Sequence, residues 1–387
     1  MPEAQFPEDA APVSGEATVM EARAVEAATS LERAQRIRLP DRRAIAGAAG
    51  LASFLWAGFA AVIFARQTSL VFNPVRDREV EHPQSAGHRT RHIVLRTRDG
   101  ERLCGWLMTP RAPGRHPGVL YFGGRSEEVS WVARDTGRMF PGMTVLAMNY
   151  RGYGGSSGIP GERAIMHDAA MLWEWLAAHH RVDAQRMAVV GRSLGSGVAV
   201  QVAAQKPVSS LVLVTPYDSL VSLARRRFYG AVPVEWLLRH RFESVKFAPR
   251  LQTRILVLRA EEDHIVPAAH TDTFVASLPS TPLDQTIAGS DHCTIPYLDA
   301  TQKAVAGFLH AGFQRMPVST PEVEEAAAVA AVAAVASASA TAMAAAEGTA
   351  PAVAGAQLVV RLAARATAAA VAEAAGKAGL TGMAADV

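Results

Sequence analysis

Four stretches with different hydrophobic and polar patterns follow one another along the chain. Residues 1–43 are rich in Ala, Glu, Arg and Pro and poor in large apolar side chains, the composition of a flexible tail that is helical in part. A run of 22 residues without a charge then opens at Ala44 and closes at Ala65. As a helix rising about 1.5 Å per residue it would span roughly 33 Å, close to the ~30 Å hydrocarbon core of a bilayer. The pattern predicts one transmembrane helix over residues 44–65. A buried core helix and a cleaved signal peptide stay open as alternatives, although the run exceeds the roughly 7–15 apolar residues of a signal sequence. Within 20 residues of the run, Arg33, Arg36, Arg38, Arg42 and Arg43 precede it, and Arg66, Arg76 and Arg78 follow it. That imbalance leans towards a cytoplasmic N-terminus and an extracytoplasmic C-terminal domain.

From 72 to 316 short apolar runs alternate with longer amphipathic ones. Residues 91–96 and 102–108 flank Arg98-Asp99-Gly100-Glu101 and predict an opening β-hairpin. Apolar runs at 118–122, 144–149, 187–190, 210–214, 254–259 and 283–287 read as strands. Between or after them, 130–140, 167–179, 194–205, 268–278 and 299–313 have helical patterns. Strands that are apolar on both faces belong to a mainly parallel sheet covered on both sides by helices, so the fold class is α/β. A chain starting near Phe72 is expected to contain the whole domain. Residues 217–250 form an insert that reads as a short helical cap. Beyond 316 the chain is of low complexity: 14 of the 21 residues from 326 to 346 are Ala, which favours helix but buries little surface. Residues 317–387 therefore read as a tail without a core of its own.

Chemistry enters with Gly191-Arg192-Ser193-Leu194-Gly195, a G-x-S-x-G string between a strand-like and a helix-like run. A sharp strand-to-helix turn forces unusual backbone angles on Ser193 and exposes its hydroxyl at the carboxyl end of a strand. A serine hydroxyl needs a base, and the base needs an acid to orient it. Asp263 follows the run at 254–259, and His292 follows the last strand-like run. Glu261, Glu262 and Asp291 are rival acids, with Asp291 poorly placed beside its own neighbour's ring. The oxyanion of an acyl-transfer intermediate needs two donors. Leu194 N–H is one candidate, and the loop Gly123-Gly124-Arg125-Ser126 could aim Arg125 N–H as the other.

These stretches resemble the α/β-hydrolase superfamily of serine hydrolases. The chain is most similar to its membrane-anchored, short-cap subgroup, related to acyl-protein and lysophospholipid hydrolases and to serine aminopeptidase-like hydrolases. The resemblance spans about 72–313 and rests on Leu120-Tyr121-Phe122-Gly123-Gly124, Asn149-Tyr150-Arg151-Gly152-Tyr153-Gly154, residues 191–195, Asp263-x-x-Val266-Pro267 and His292, with Phe72-Asn73-Pro74 behind the apolar run. It implies an α/β-hydrolase fold, a catalytic triad of Ser193, Asp263 and His292, an oxyanion hole at Leu194 and Arg125, and no cofactor or metal. The chain departs from the family in having Gly123 where His commonly stands. The expected activity is cleavage of an acyl ester or thioester. A serine aminopeptidase-like peptidase and a non-catalytic binding protein on the same scaffold are the other readings.

Composition narrows this further. The formal net charge is only +3 over 387 residues, which argues against a nucleic-acid partner. Two cysteines, Cys104 and Cys293, are too few for a disulfide scaffold or a multi-cysteine zinc site. Between 217 and 250, Asp218, Glu235 and Glu243 are outnumbered by Arg225, Arg226, Arg227, Arg239, Arg241, Lys246 and Arg250. That balance suits a lipid-like acyl substrate with a neutral chain or anionic headgroup better than a peptide's free ammonium, which requires carboxylates. His88, His92, His264 and His270 read as surface groups.

Overall fold

The computed structural model describes residues 16–35, 41–76, 83–228 and 232–315. The expected Ala-rich tail at 317–387 and part of the N-terminal tail lie outside them. The chain forms two compact units, Met1–Arg66 and Gln67–Val387. In the first, α1 (Glu16–Gln35) occupies much of the expected tail, and α2 (Arg42–Phe72) contains the whole uncharged run. From Ile45 to Phe72, α2 is long and apolar enough to cross a membrane. Its side chains Leu51, Phe54, Leu55, Phe59 and Val62 are exposed, which is not the pattern of a core helix.

The second unit opens with the last residues of α2, from Gln67. Strands β1 (His88–Arg96) and β2 (Arg102–Pro110) form the expected hairpin, paired from His88 with Pro110 to Arg96 with Arg102. There follow β3 (His116–Phe122), α3 (Ser130–Met139), β4 (Thr144–Met148), α4 (Glu162–Ala177), β5 (Val182–Arg192) and α5 (Leu194–Ala203). Then come β6 (Ser210–Val214), the short cap helices α6 (Leu220–Arg227), α7 (Val234–Leu237) and α8 (Ser244–Phe247), β7 (Arg254–Glu262), α9 (Ala268–Ala276), β8 (Leu283–Asp291) and α10 (Asp299–Gln314).

The eight strands make one sheet in the order β1-β2-β4-β3-β5-β6-β7-β8, parallel from β4 through β8. Alternate side chains of each central strand enter opposite layers. Leu120, Leu146, Val189 and Leu211 pack with Leu172 and Leu176 of α4 and Val198 of α5. Val119, Val145, Val190 and Val212 pack with Val132 of α3 and Leu309 and Phe313 of α10. A sheet buried on both faces has no polar side to alternate with, which is why its strands read as unbroken apolar runs. The chain leaves β3 towards β4 on one side and returns to β5 on the other. The crevice between the carboxyl ends of β3 and β5 is thus the topological switch point, where ligands bind in open α/β sheets.

Two histidines expected at the surface are buried instead. His88 Nε2 lies 3.0 Å from the Met143 carbonyl. His270 Nδ1 lies 2.9 Å from Asp218 Oδ1, a hydrogen-bonding partner 52 residues away that no local pattern announces.

Candidate active site

Ser193 sits where β5 turns into α5, with φ 49° and ψ −116°. A non-glycine residue holds such angles only when its surroundings over-determine them. Here the Ser193 N–H donates to the Val214 carbonyl at 2.8 Å, pinning the turn to β6. The two glycines permit the close approach. A Cβ on Gly191 would collide with the Gly195 carbonyl, and one on Gly195 with the carbonyls of Phe122 and Gly123.

His292 follows β8 and reaches back to this turn. Its Nε2 stands 2.8 Å from Ser193 Oγ, and its Nδ1 stands 2.8 Å from Asp263 Oδ2. With Nδ1–H directed at the carboxylate, Nε2 accepts from the serine hydroxyl. Asp263 is fixed in turn, because its Oδ1 accepts the N–H groups of Ile265 at 2.9 Å and Val266 at 2.7 Å. Ser193 and His292 are both about nine-tenths buried. The rival acids are engaged elsewhere or exposed. Glu261 accepts from Gly289 N–H at 2.7 Å, and Asp291 caps its own turn through Cys293 and Thr294 N–H at 2.7 and 2.8 Å. Glu262 is exposed.

Leu194 opens α5, so its N–H is among the first-turn donors that have no partner within the helix. The loop after β3 faces it. A Cβ built on Gly124 would lie 3.5 Å from Ser193 Cβ. Within this loop Gly124 N–H donates to Glu127 Oε2 at 2.6 Å, and Ser126 N–H donates to the Phe72 carbonyl at 3.2 Å. Arg125 N–H lies between these two committed donors. The Arg125 side chain reaches away, with Nε donating to the Leu70 carbonyl at 3.0 Å. Tyr150 braces the loop through its hydroxyl, which donates to the Gly123 carbonyl at 2.9 Å. Burial pushes the Tyr150 phenol well above its ordinary range, so it remains a donor.

Two side chains that the sequence pattern did not single out complete the site. Arg192 Nη1 lies 2.7 Å from Glu127 Oε2, both nearly buried. Burial opposes the Arg192 charge, but Glu127 and then Tyr121 hold the guanidinium above its ordinary value. The available signal is a charged residue just after the apolar run at 187–190, directly before Ser193. Its partner, 65 residues earlier, has no sequence signature.

A hydroxyl, an imidazole and a carboxylate in this order, with N–H donors beside them, can attack a carbonyl and stabilise the oxyanion that forms. Comparison with known proteins places the chain among α/β-hydrolases. The model of a family described as alpha/beta hydrolase fold matches residues 128–239. An uncharacterized protein of Mycobacterium tuberculosis is 33% identical over 231 residues, 59% of this chain and 79% of that protein. Protein bem46 of Schizosaccharomyces pombe is 30% identical, covering 53% of this chain and 72% of its own length. Lysophosphatidylserine lipase ABHD12 of Danio rerio is 24% identical, covering 49% and 59%.

Proposed function

Because this chain belongs to the α/β-hydrolase family and is a hydrolase, we propose that it is a membrane-anchored serine hydrolase cleaving an acyl ester or thioester. The observation that carries this reading is the continuous line from Asp263 Oδ2 through His292 to Ser193 Oγ, 2.8 Å at each step. Ser193 Oγ attacks the acyl carbon while His292 Nε2 takes its proton. The carbonyl electron pair moves onto oxygen, held by the N–H groups of Leu194 and Arg125. Collapse of this intermediate expels the alcohol or thiol, which takes the proton from His292 and leaves an acyl group on Ser193. Water, activated by the same imidazole, then releases the acid. Asp263 stays ionised, fixing the imidazole tautomer and stabilising its charged form. These steps need no cofactor or metal.

In this reading α2 is the anchor, with the N-terminus cytoplasmic and the hydrolase domain extracytoplasmic. The substrate is lipid-like, a small amphiphile with one acyl chain. The name of the Danio rerio relative points to a lysophospholipid, and the exposed Arg226 and Arg227 of the cap suit an anionic headgroup. The test is labelling with a fluorophosphonate probe, which adds covalently to an activated serine. Wild type is expected to label, and Ser193→Ala and His292→Ala are expected not to. Undiminished labelling of Ser193→Ala would remove the nucleophile assignment.

A further inference from the structure

Three pieces of chain must hold register for the proposed reaction: the loop after β3, the turn after β5 and the turn after β8. Sheet hydrogen bonds do not set the first against the last, since β3 and β8 are separated by β5, β6 and β7. One buried charge pair spans the distance. Besides its bond to Glu127, Arg192 donates from Nη2 to the His292 carbonyl at 3.2 Å and to the Cys293 carbonyl at 3.3 Å. Glu127 Oε2 takes both Arg192 and the Gly124 N–H, while Oε1 takes the Tyr121 hydroxyl at 2.8 Å and Trp131 Nε1 at 2.9 Å. The Trp131 ring packs edge-on against Tyr297, 4.8 Å between centroids, on the segment that follows the histidine turn.

We infer that Arg192 and Glu127 are a positioning pair that sets the distance between the oxyanion donors and His292, acting on the transition state and not on substrate binding. The planar guanidinium fork is what the task requires. One edge meets the carboxylate and the other meets two carbonyls, a spread that a lysine ammonium cannot reproduce. Stability alone does not account for the pair. Replacing a buried ion pair by well-packed apolar residues is often neutral or stabilising, whereas removing one partner is costly. The inference rests on the triad proposed above.

The test uses the full-length chain in detergent with p-nitrophenyl esters and the matching thionoesters, whose sulfur is a poor partner for oxyanion donors. Rates are expressed per serine labelled by fluorophosphonate, so unfolded molecules drop out. Arg192→Gln and Arg192→Lys are expected to lower kcat by about a hundredfold, the scale of a misplacement near 1 Å. KM is expected to stay within about twofold, and the preference for the oxygen ester over the thionoester to shrink. Should the single variants fail to fold, the double variant Arg192→Met with Glu127→Leu removes both charges together, and the same kcat loss is expected of it. Wild-type kcat per labelled serine in either the single or the double variants would overturn the inference, as would a loss confined to KM. Absence of labelling in wild type would instead overturn the triad reading, and this inference with it.

Discussion

Arg125 donates from its guanidinium Nε to the backbone carbonyl of Leu70, 3.0 Å away, so the loop bearing the candidate oxyanion donor leans on the last turn of the long apolar helix. Neighbouring bonds reinforce it. Ser126 N–H and the Tyr153 hydroxyl both donate to the Phe72 carbonyl, and Asn73 Nδ2 donates to Ser126 Oγ at 2.7 Å. Gln67 adds a link to the cap, accepting from Arg239 N–H at 2.7 Å. The helix end is thus part of the hydrolase domain.

A chain beginning at Gln67 is expected to be soluble and active, and one beginning at Asn73 markedly less active. A hydrogen bond from a charged donor is worth about 1.5–3 kcal/mol. If most of that is felt in the transition state, Arg125→Ala in the full-length chain should lower kcat by roughly ten- to a hundredfold. Steady-state kinetics of the three proteins checks this, and equal kcat values throughout would mean that the helix end plays no part.

Asp263→Asn is expected to reduce kcat by up to about 10⁴, because an amide no longer enforces the His292 tautomer. Glu261→Gln and Asp291→Asn should leave kcat within a few-fold, since Asp291 caps its own turn and Glu261 ties the end of β7 to Gly289 of β8, while the His292 ring meets Asp263. A large loss in Glu261→Gln beside an active Asp263→Asn would move the acid role to Glu261.

How much of this is legible in the sequence varies with the reach of the interaction. The apolar run at 210–214 coincides with β6 because burial on both faces leaves an unbroken apolar signal. The apolar pattern marks β5 only from Met187, because Asp183, Gln185 and Arg186 interrupt it in the half of the strand that meets His116 and Pro117 across a register shift. α2 outran its apolar stretch because Gln67, Thr68 and Ser69 lower hydropathy without breaking a helix, which ends just before Pro74. The expected triad residues stood at strand ends and could be named from their local contexts. Arg192 with Glu127 and His270 with Asp218 could not, since long-range polar pairing leaves no periodicity.

Acid sensitivity of the fold should be traceable to Asp99. Its carboxyl takes two hydrogen bonds from Arg151, at 2.6 and 2.8 Å, and one from Thr97. First Arg151 and then Thr97 hold it well below the usual carboxylate range. Such a group adds stability above its unfolded pKa, about 3.9, and loses it as the pH falls below that value. On the other side of Arg151, burial raises Asp168, which gives the opposite slope. Asp99→Asn should therefore lower the urea midpoint at pH 7 and flatten its decline between about pH 4 and pH 2. The effect should be modest, because the Asp99 side chain is 60% exposed and screened by solvent. Parallel curves for variant and wild type would assign the acid sensitivity elsewhere.

Substrate class can be read from a series of p-nitrophenyl esters of two to about twelve carbons beside aminoacyl anilides. Each methylene buried adds about 0.8 kcal/mol, so kcat/KM is expected to climb with chain length until the site is full. Faster turnover of the anilides would favour a peptidase.

Anchoring has an equally simple readout. Full-length protein is expected to stay in the membrane fraction through high-salt and carbonate washes, because apolar burial and not charge holds it. Release by either wash would show that α2 does not span the bilayer. Reporter fusions at the C-terminus then report the side on which the domain lies.

The central claim is an acyl group carried on Ser193, and denaturing mass spectrometry of a rapidly quenched reaction with a p-nitrophenyl ester tests it most directly. Wild type is expected to gain the mass of one acyl group, mapping after digestion to the peptide that contains Ser193, and Ser193→Ala is expected to gain none and to turn over no ester. Ester hydrolysis at the wild-type rate by Ser193→Ala, or an acyl adduct on any other residue, would contradict it.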